Sequence, residues 1–171
     1  MKKLVLTDEM RSVPLEEMQQ IMTRTMKAIH DVCVKHNLTY FLSWGSLLGA
    51  VRHNGFIPWD DDMDINMPRK DYFRFLEIAQ QELGPDYFVQ TPETDHNWHM
   101  CNIPLKVRDN HSTLVERPGC RYHQGAYVDI FPIDDVVDEA QFYKLRKRCG
   151  FLSSLKMRIS FHELSGIKRC V

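Results

Sequence analysis

Residues 44–65 read Trp44-Gly45-Ser46-Leu47-Leu48-Gly49-Ala50-Val51-Arg52-His53-Asn54-Gly55-Phe56-Ile57-Pro58-Trp59-Asp60-Asp61-Asp62-Met63-Asp64-Ile65. Two features of this stretch decide the fold. A glycine-serine pair sits where an aromatic, uncharged run (Tyr40 to Trp44) gives way to a short apolar helix at Leu47 to Val51. Glycine permits close approach of a ligand to the backbone, and a helix start offers free N–H groups with positive dipole character, which together make an anion site. The second feature is Asp62-Met63-Asp64-Ile65-Asn66-Met67, a strict polar/apolar alternation. It predicts a strand carrying its acids on one face and Met63, Ile65 and Met67 on the other.

Two carboxylates at i and i+2 on one strand face repel unless a cation bridges them. Hard oxygen ligands of this kind suit Mg2+ or Mn2+, which retain waters and accept substrate phosphate oxygens as further ligands. Asp60 shares the parity of Asp62 and Asp64 and is a further candidate ligand, ahead of Asp61. A third acid, Asp129, interrupts the apolar run Tyr127-Val128-Asp129-Ile130-Phe131. A carboxylate in such a strand needs a partner or an edge facing water, because burying it alone is costly.

Outward from this block, Pro14 to His36 has apolar residues at three- and four-residue steps (Leu15, Met18, Met22, Met26, Ile29, Cys33) and predicts an amphipathic helix ending at Asn37. Asp71 to Leu83 predicts a second helix, with Tyr72, Phe75, Leu76 and Ala79 inward, stopped at Gly84-Pro85. Tyr87 to Gln90, Pro104 to Arg108, Ser112 to Glu116 and Ala126 to Phe131 are candidate strands, and Gln141 to Phe161 returns to helical periodicity with Gly150 as an interruption. The order predicts an α+β domain with a small mixed central sheet flanked by helices.

The chain has 171 residues and a formal net charge of −1, so it offers no overall electrostatic footprint for nucleic acid. The charge is uneven. From Ala140 onward there are eight basic residues (Lys144, Arg146, Lys147, Arg148, Lys156, Arg158, Lys168, Arg169) against Glu163, which leaves −8 on residues 1–139. This basic segment is either a solvated helix face or a candidate for peripheral contact with an anionic glycan or membrane surface. Five cysteines lack CxxC spacing and fit free thiols in a reducing cytosol. The apolar start at Leu4-Val5-Leu6 stops at Thr7-Asp8-Glu9, too short for a signal peptide, so a cytoplasmic location, at the inner face of the membrane, is expected. Two other metal readings are available. Asp60, Asp62, Asp64 and Asp71 match EF-hand positions, but Ile65 replaces the required glycine and Pro68 holds the ninth position. His96, His99, Cys101, His111, Cys120 and His123 cluster in sequence without the spacing of a common zinc site.

The block from Trp44 to Ile65, with Val128-Asp129-Ile130-Phe131-Pro132-Ile133-Asp134 further on, resembles the LicD/fukutin family, whose catalytic part has a nucleotidyltransferase fold. The resemblance covers about Tyr40 to Asp135. It implies one catalytic domain over 1–171, with a helical lead-in at 10–37, a core at about 38–135 and a basic helical segment at 138–171 that is short beside bacterial relatives. It implies transfer of a phospho-substituent from a CDP-activated donor to a glycan hydroxyl. Bacterial members are linked with phosphocholine from CDP-choline, and fukutin-type members with ribitol phosphate from CDP-ribitol. On this reading Asp62 and Asp64 hold the metal against the donor diphosphate, and Asp129 completes a second metal site or takes the acceptor proton. Gly45 and Ser46 bind donor phosphate; Arg52, Lys106 and Arg108 either add phosphate contacts or pair with the acidic cluster. The runner-up is a nucleotidyltransferase that loads CTP onto a phosphorylated small molecule.

Overall fold

The computed structural model describes residues 13–98, 105–116, 119–135 and 138–150. It begins with α1 (Leu15–His36), whose first turn carries Glu16 and Glu17 and whose last carries Lys35 and His36, matching the helix dipole at both ends. Pro14 stands at the N-cap with extended backbone, and Asn37 closes the helix in the left-handed conformation at φ 53°, with Leu38 N–H donating to Cys33 O. The buried stripe is Met18, Met22, Met26, Ile29 and Cys33, joined by Thr25 and Val32.

There follow β1 (Phe41–Leu42), α2 (Trp44–His53), β2 (Asp64–Pro68), α3 (Arg69–Leu83), β3 (Tyr87–Gln90), β4 (Leu105–Asp109) and β5 (Tyr127–Ile133). A last helix, α4 (139–150), starts at Asp138, whose carboxylate accepts from the Ala140 and Gln141 amides. The remainder of the helix expected over Gln141 to Phe161 lies outside the described residues.

The five strands form one mixed sheet in the order β1-β2-β5-β4-β3. Only β2 and β5 run parallel; the other neighbours are antiparallel. Register decides what each face carries. Ile65 pairs with Ile130, and Ile130 with Leu105, in a row that faces the core. Met63, Met67, Val89, Val107 and Val128 complete that face, and α1 and α3 cover it with Met22, Ile29, Tyr72, Phe75 and Ala79. The helices and mixed sheet make the expected α+β arrangement, with the helix pair on one side of the sheet.

Four local expectations are corrected. The aromatic run at 40–44 forms only two strand residues, because Trp44 turns the chain at φ 43° into α2. For the same reason Gly45 and Ser46 lie inside the first turn of α2 and not in a corner ahead of it. Asp62 precedes β2, which begins at Asp64. Ser112 to Glu116 forms no strand. Its Leu114 amide donates to Gln124 O at 2.6 Å and its Ser112 hydroxyl takes the Ala126 amide at 3.1 Å, so it is a loop folded onto the polar side of the sheet.

One glycine is demanded by contact. A Cβ at Gly49 on α2 would lie 2.5 Å from Gly55 O and 2.9 Å from Ile57 N, so only glycine lets the loop behind α2 return across it. Backbone atoms cannot yield as a side chain can. Gly49→Ala is expected to destabilise the protein by about 1–3 kcal/mol in urea unfolding; an unchanged midpoint would contradict this packing.

Candidate metal and phosphate site

The other face of the sheet is polar. Asp64 on β2 pairs with Asp129 on β5, and Asp129 with Lys106 on β4, which pairs with Gln90 on β3. Four polar side chains thus stand in one row across four strands. Such a row is stable only if its charges are matched, since each strand buries it against its neighbours. Lys106 is fully buried, and its Nζ lies 2.9 Å from Asp129 Oδ1, 3.3 Å from Asp129 Oδ2 and 3.3 Å from Glu116 Oε1. It also lies 3.2 Å from the centre of the Tyr127 ring, a cation–π contact.

Beside it, Arg108 is fully buried with its donors engaged: Nε to Gln90 Oε1 at 2.5 Å, Nη1 to Gly125 O at 2.9 Å and Nη2 to Glu116 Oε2 at 2.6 Å. Of the sequence's two readings for Lys106 and Arg108, the geometry has them paired with acids. Arg52 sits apart, exposed in the last turn of α2. Six residues of helix put it about 9 Å along the axis from Ser46.

At the β2 end of the row, the chain from Trp59 brings in more carboxylates. Oxygen atoms of Asp60, Asp61 and Asp62 lie within 4.8 Å of one another, the one group of three or more metal-capable side chains found among the described residues. The Asp60 turn is anchored from α1, where Gln19 Nε2 donates to Asp60 O at 2.8 Å. Asp60 Oδ2 is buried without a hydrogen-bond partner, and it lies where a Cβ on Gly45 would approach to 2.7 Å. Glycine at 45 therefore makes room for the carboxylate as well as for any ligand. An all-oxygen set with a buried, unpartnered oxygen fits a hard divalent ion such as Mg2+ or Mn2+.

Ser46 does not stand free at a corner. Its Oγ accepts from the Asp64 amide at 2.8 Å, fixing the start of β2 to the first turn of α2 and leaving the hydroxyl proton to donate. That turn carries no acidic residue and no side-chain cap. Ser43, at the N-cap and 5% exposed, has a buried Oγ without a partner. Uncapped first-turn amides beside this unpartnered hydroxyl are suited to an anion. Ser43 was not foreseen from sequence, where it sat inside a predicted strand. Nor was Glu116, placed on a strand that does not form; its signal was the one acid in an otherwise uncharged loop segment.

The electrostatics follow from crowding. Burial chiefly, then the Asp62 and Asp129 charges, push the Asp64 carboxyl up to about 7, against the lowering effect of Lys106. Burial raises Asp129 to about 6, again opposed by Lys106. Asp62 is raised by burial and by Asp60 and Asp61. Glu116 goes the other way, because Lys106 and Arg108 together outweigh the effect of its burial.

The two other metal readings fare differently. Residues 60–71 form no calcium loop: β2 begins at Asp64, and Asp71 accepts from the Thr39 amide at 3.1 Å. His123 stacks on Phe88 and bonds Asn110, and His111 bonds Asp86, while His99 and Cys101 lie outside the described residues. No helix among the described residues is long and apolar enough to cross a membrane.

Residues 37–154 match the family model described as LicD/FKTN/FKRP, nucleotidyltransferase domain. The chain is 33% identical over 140 residues to the lipopolysaccharide cholinephosphotransferase LicD of Haemophilus influenzae, covering 81% of this chain and 52% of that protein. It is 46% identical over 56 residues to an uncharacterized protein of Rickettsia typhi, covering 33% of this chain and 18% of that one. With the human ribitol 5-phosphate transferase FKRP it shares 35% identity over 60 residues, 35% of this chain and 12% of that protein. The chain thus spans about half the length of the Haemophilus relative and smaller shares of the others.

The raised Asp64 value has a testable sign. A folded carboxyl at about 7, above its ordinary 3.8, contributes stability below pH 4 that is lost as pH rises through 7. In chelator, Asp64→Asn should melt higher than the unsubstituted protein, by a margin that widens from pH 4 to 7 and then levels. A margin independent of pH in thermal unfolding would contradict the crowding described.

Proposed function

Because the chain belongs to the LicD/FKTN/FKRP nucleotidyltransferase-domain family, we propose that it transfers a phospho-substituent, phosphocholine foremost, from a CDP-activated donor such as CDP-choline to a cell-surface glycan hydroxyl. The observation that carries this reading is the meeting of two half-sites, an uncapped α2 N-terminus and a crowded carboxylate cluster, held together by the Ser46–Asp64 hydrogen bond. One half suits phosphate and the other a divalent cation. A nucleoside diphosphate needs both.

In this mechanism Asp62 and Asp64 are the principal ligands for Mg2+ or Mn2+, with Asp60 and Asp129 the further candidates. The ion, when bound, offsets charge on the diphosphate and on the departing nucleoside monophosphate. The first-turn amides at Gly45 and Ser46, with the Ser43 and Ser46 hydroxyls, hold donor phosphate oxygens. Asp129 faces the same site and, with its carboxyl near 6, is suited to take the proton of the acceptor hydroxyl near neutral pH. The acceptor oxygen then attacks the phosphorus bearing choline, and the bond from that phosphorus to CMP breaks with its electrons leaving on CMP.

The Haemophilus relative is named a lipopolysaccharide cholinephosphotransferase, and it aligns over most of this chain, which favours phosphocholine over ribitol phosphate. Cytoplasmic action at the inner face of the membrane, with the basic 138–171 segment against it, is the matching cellular reading. The runner-up, loading of CTP onto a phosphorylated small molecule, uses the same metal and phosphate groups.

The deciding assay supplies CDP-choline, CDP-ribitol or CTP with Mg2+ or Mn2+ and a glycan acceptor. CMP release from CDP-choline is expected; pyrophosphate release from CTP would favour the runner-up. Asp62→Ala and Asp64→Ala should each lower CMP release by more than about a hundredfold, with circular dichroism unchanged. Near-normal turnover in both variants would overturn the assignment.

A further inference from the structure

The buried polar face balances its own charge. Lys106 and Arg108 bring two cations; Glu116 and Asp129 bring two anions, and the four are linked by contacts of 2.6–3.3 Å. Asp129 is 4% exposed; its Oδ2 accepts from Lys106 Nζ at 3.3 Å, and its buried Oδ1, which has no hydrogen-bond partner, lies 2.9 Å from the same ammonium as an ion pair. Lys106 is in turn fixed from a third side by the Tyr127 ring and cannot swing to solvent without leaving Asp129 unpaired and Glu116 with Arg108 alone. A buried ammonium held by two carboxylates and an aromatic face is a permanent part of the fold, because the cost of removing one partner far exceeds that of keeping all.

The remaining carboxylates are differently placed. Asp60, Asp61 and Asp62 have no ion pair among the described residues, and they converge on one another and not on Asp129. The molecule therefore separates its acids into a pair in direct contact with Lys106 and Arg108 and a set, Asp60 to Asp62, that feels Lys106 only at longer range.

We propose that Lys106 occupies the electrostatic place of a second metal ion at Asp129, so that the site takes one divalent cation, on the Asp60–Asp64 side, and leaves Asp129 for proton transfer. Lys106 is on this account a positioning residue, acting on substrate through Asp129. The inference rests on the metal-dependent reading of the site and sharpens it. A second divalent ion on Asp129 would have to sit within reach of Lys106 Nζ, which lies 2.9 Å and 3.3 Å from the two oxygens; two unlike cations would then compete for one carboxylate.

The test counts Mn2+ on the full chain, by paramagnetic resonance of the free ion and by titration calorimetry. The unsubstituted protein is expected to bind one ion. Lys106→Arg, which keeps the cation, should also bind one, and Lys106→Met should admit a second, weaker ion at Asp129. Asp129→Asn should keep the single ion with an affinity within about threefold, and this variant decides the matter if Lys106→Met fails to fold. Two ions on the unsubstituted protein, one on a folded Lys106→Met, or loss of the ion in Asp129→Asn would overturn the inference alone. No ion on the unsubstituted protein would overturn the metal-dependent reading beneath it.

Discussion

The Lys106–Asp129 ion pair is the interaction on which the polar half of this molecule depends. A five-stranded sheet with helices on one face could leave its other face to solvent. Here that face is buried instead, with Gln90, Lys106, Arg108 and Asp129 all enclosed. Burying them is tolerable only because register sets Lys106 beside Asp129 and the loop after β4 brings Glu116 to both cations. Shift β4 by one residue and Lys106 would enter the apolar face among the helices. The ion pair thus specifies register, and register aligns Asp64 with Asp129.

From that alignment the site follows. β2 and β5 are the parallel pair, so Asp64 and Asp129 stand together at one level while the chain entering β2 carries Asp60, Asp61 and Asp62 above them. Ser46 ties the first turn of α2 to the Asp64 amide, which brings free amide groups next to carboxylates. Free amides at a helix start favour an anion, and carboxylates crowded together favour a cation, so a ligand of both signs completes the arrangement. A metal-bound diphosphate is such a ligand. Gly45 and Gly49 are the local conditions for it, the first clearing Asp60 and the second letting the 54–58 loop close behind α2.

Much of this was legible in the residues. The three- and four-residue steps of Met18, Met22, Met26 and Ile29 marked α1, and the alternation of Asp64, Ile65, Asn66 and Met67 marked both faces of β2. Asp129, as an acid among apolar neighbours, called for either a partner or an edge facing water, and the buried central position of β5 leaves the partner. That the partner is Lys106 could not be read, because cross-strand register between β4 and β5 is set by tertiary packing across the long connection at 110–126. The loop at 112–116 was misread for a related reason. Its residues have the composition of a strand, yet their job is to deliver Glu116, and no local propensity encodes a contact with buried cations. Trp44 was missed as a turning point because a bulky residue at φ 43° is rare, so a strand was the better local expectation.

The central claim is that one divalent ion on the Asp62–Asp64 side bridges the protein to a nucleoside diphosphate. Phosphorus magnetic resonance of CDP-choline with the Mn2+-loaded protein tests it directly. Both diphosphate resonances should broaden strongly in the ternary complex, well beyond the effect of the same free Mn2+ without protein, and this excess should vanish with Asp62→Asn or Asp64→Asn. Diphosphate that binds the protein with its phosphorus lines unaffected by bound Mn2+ would contradict the account.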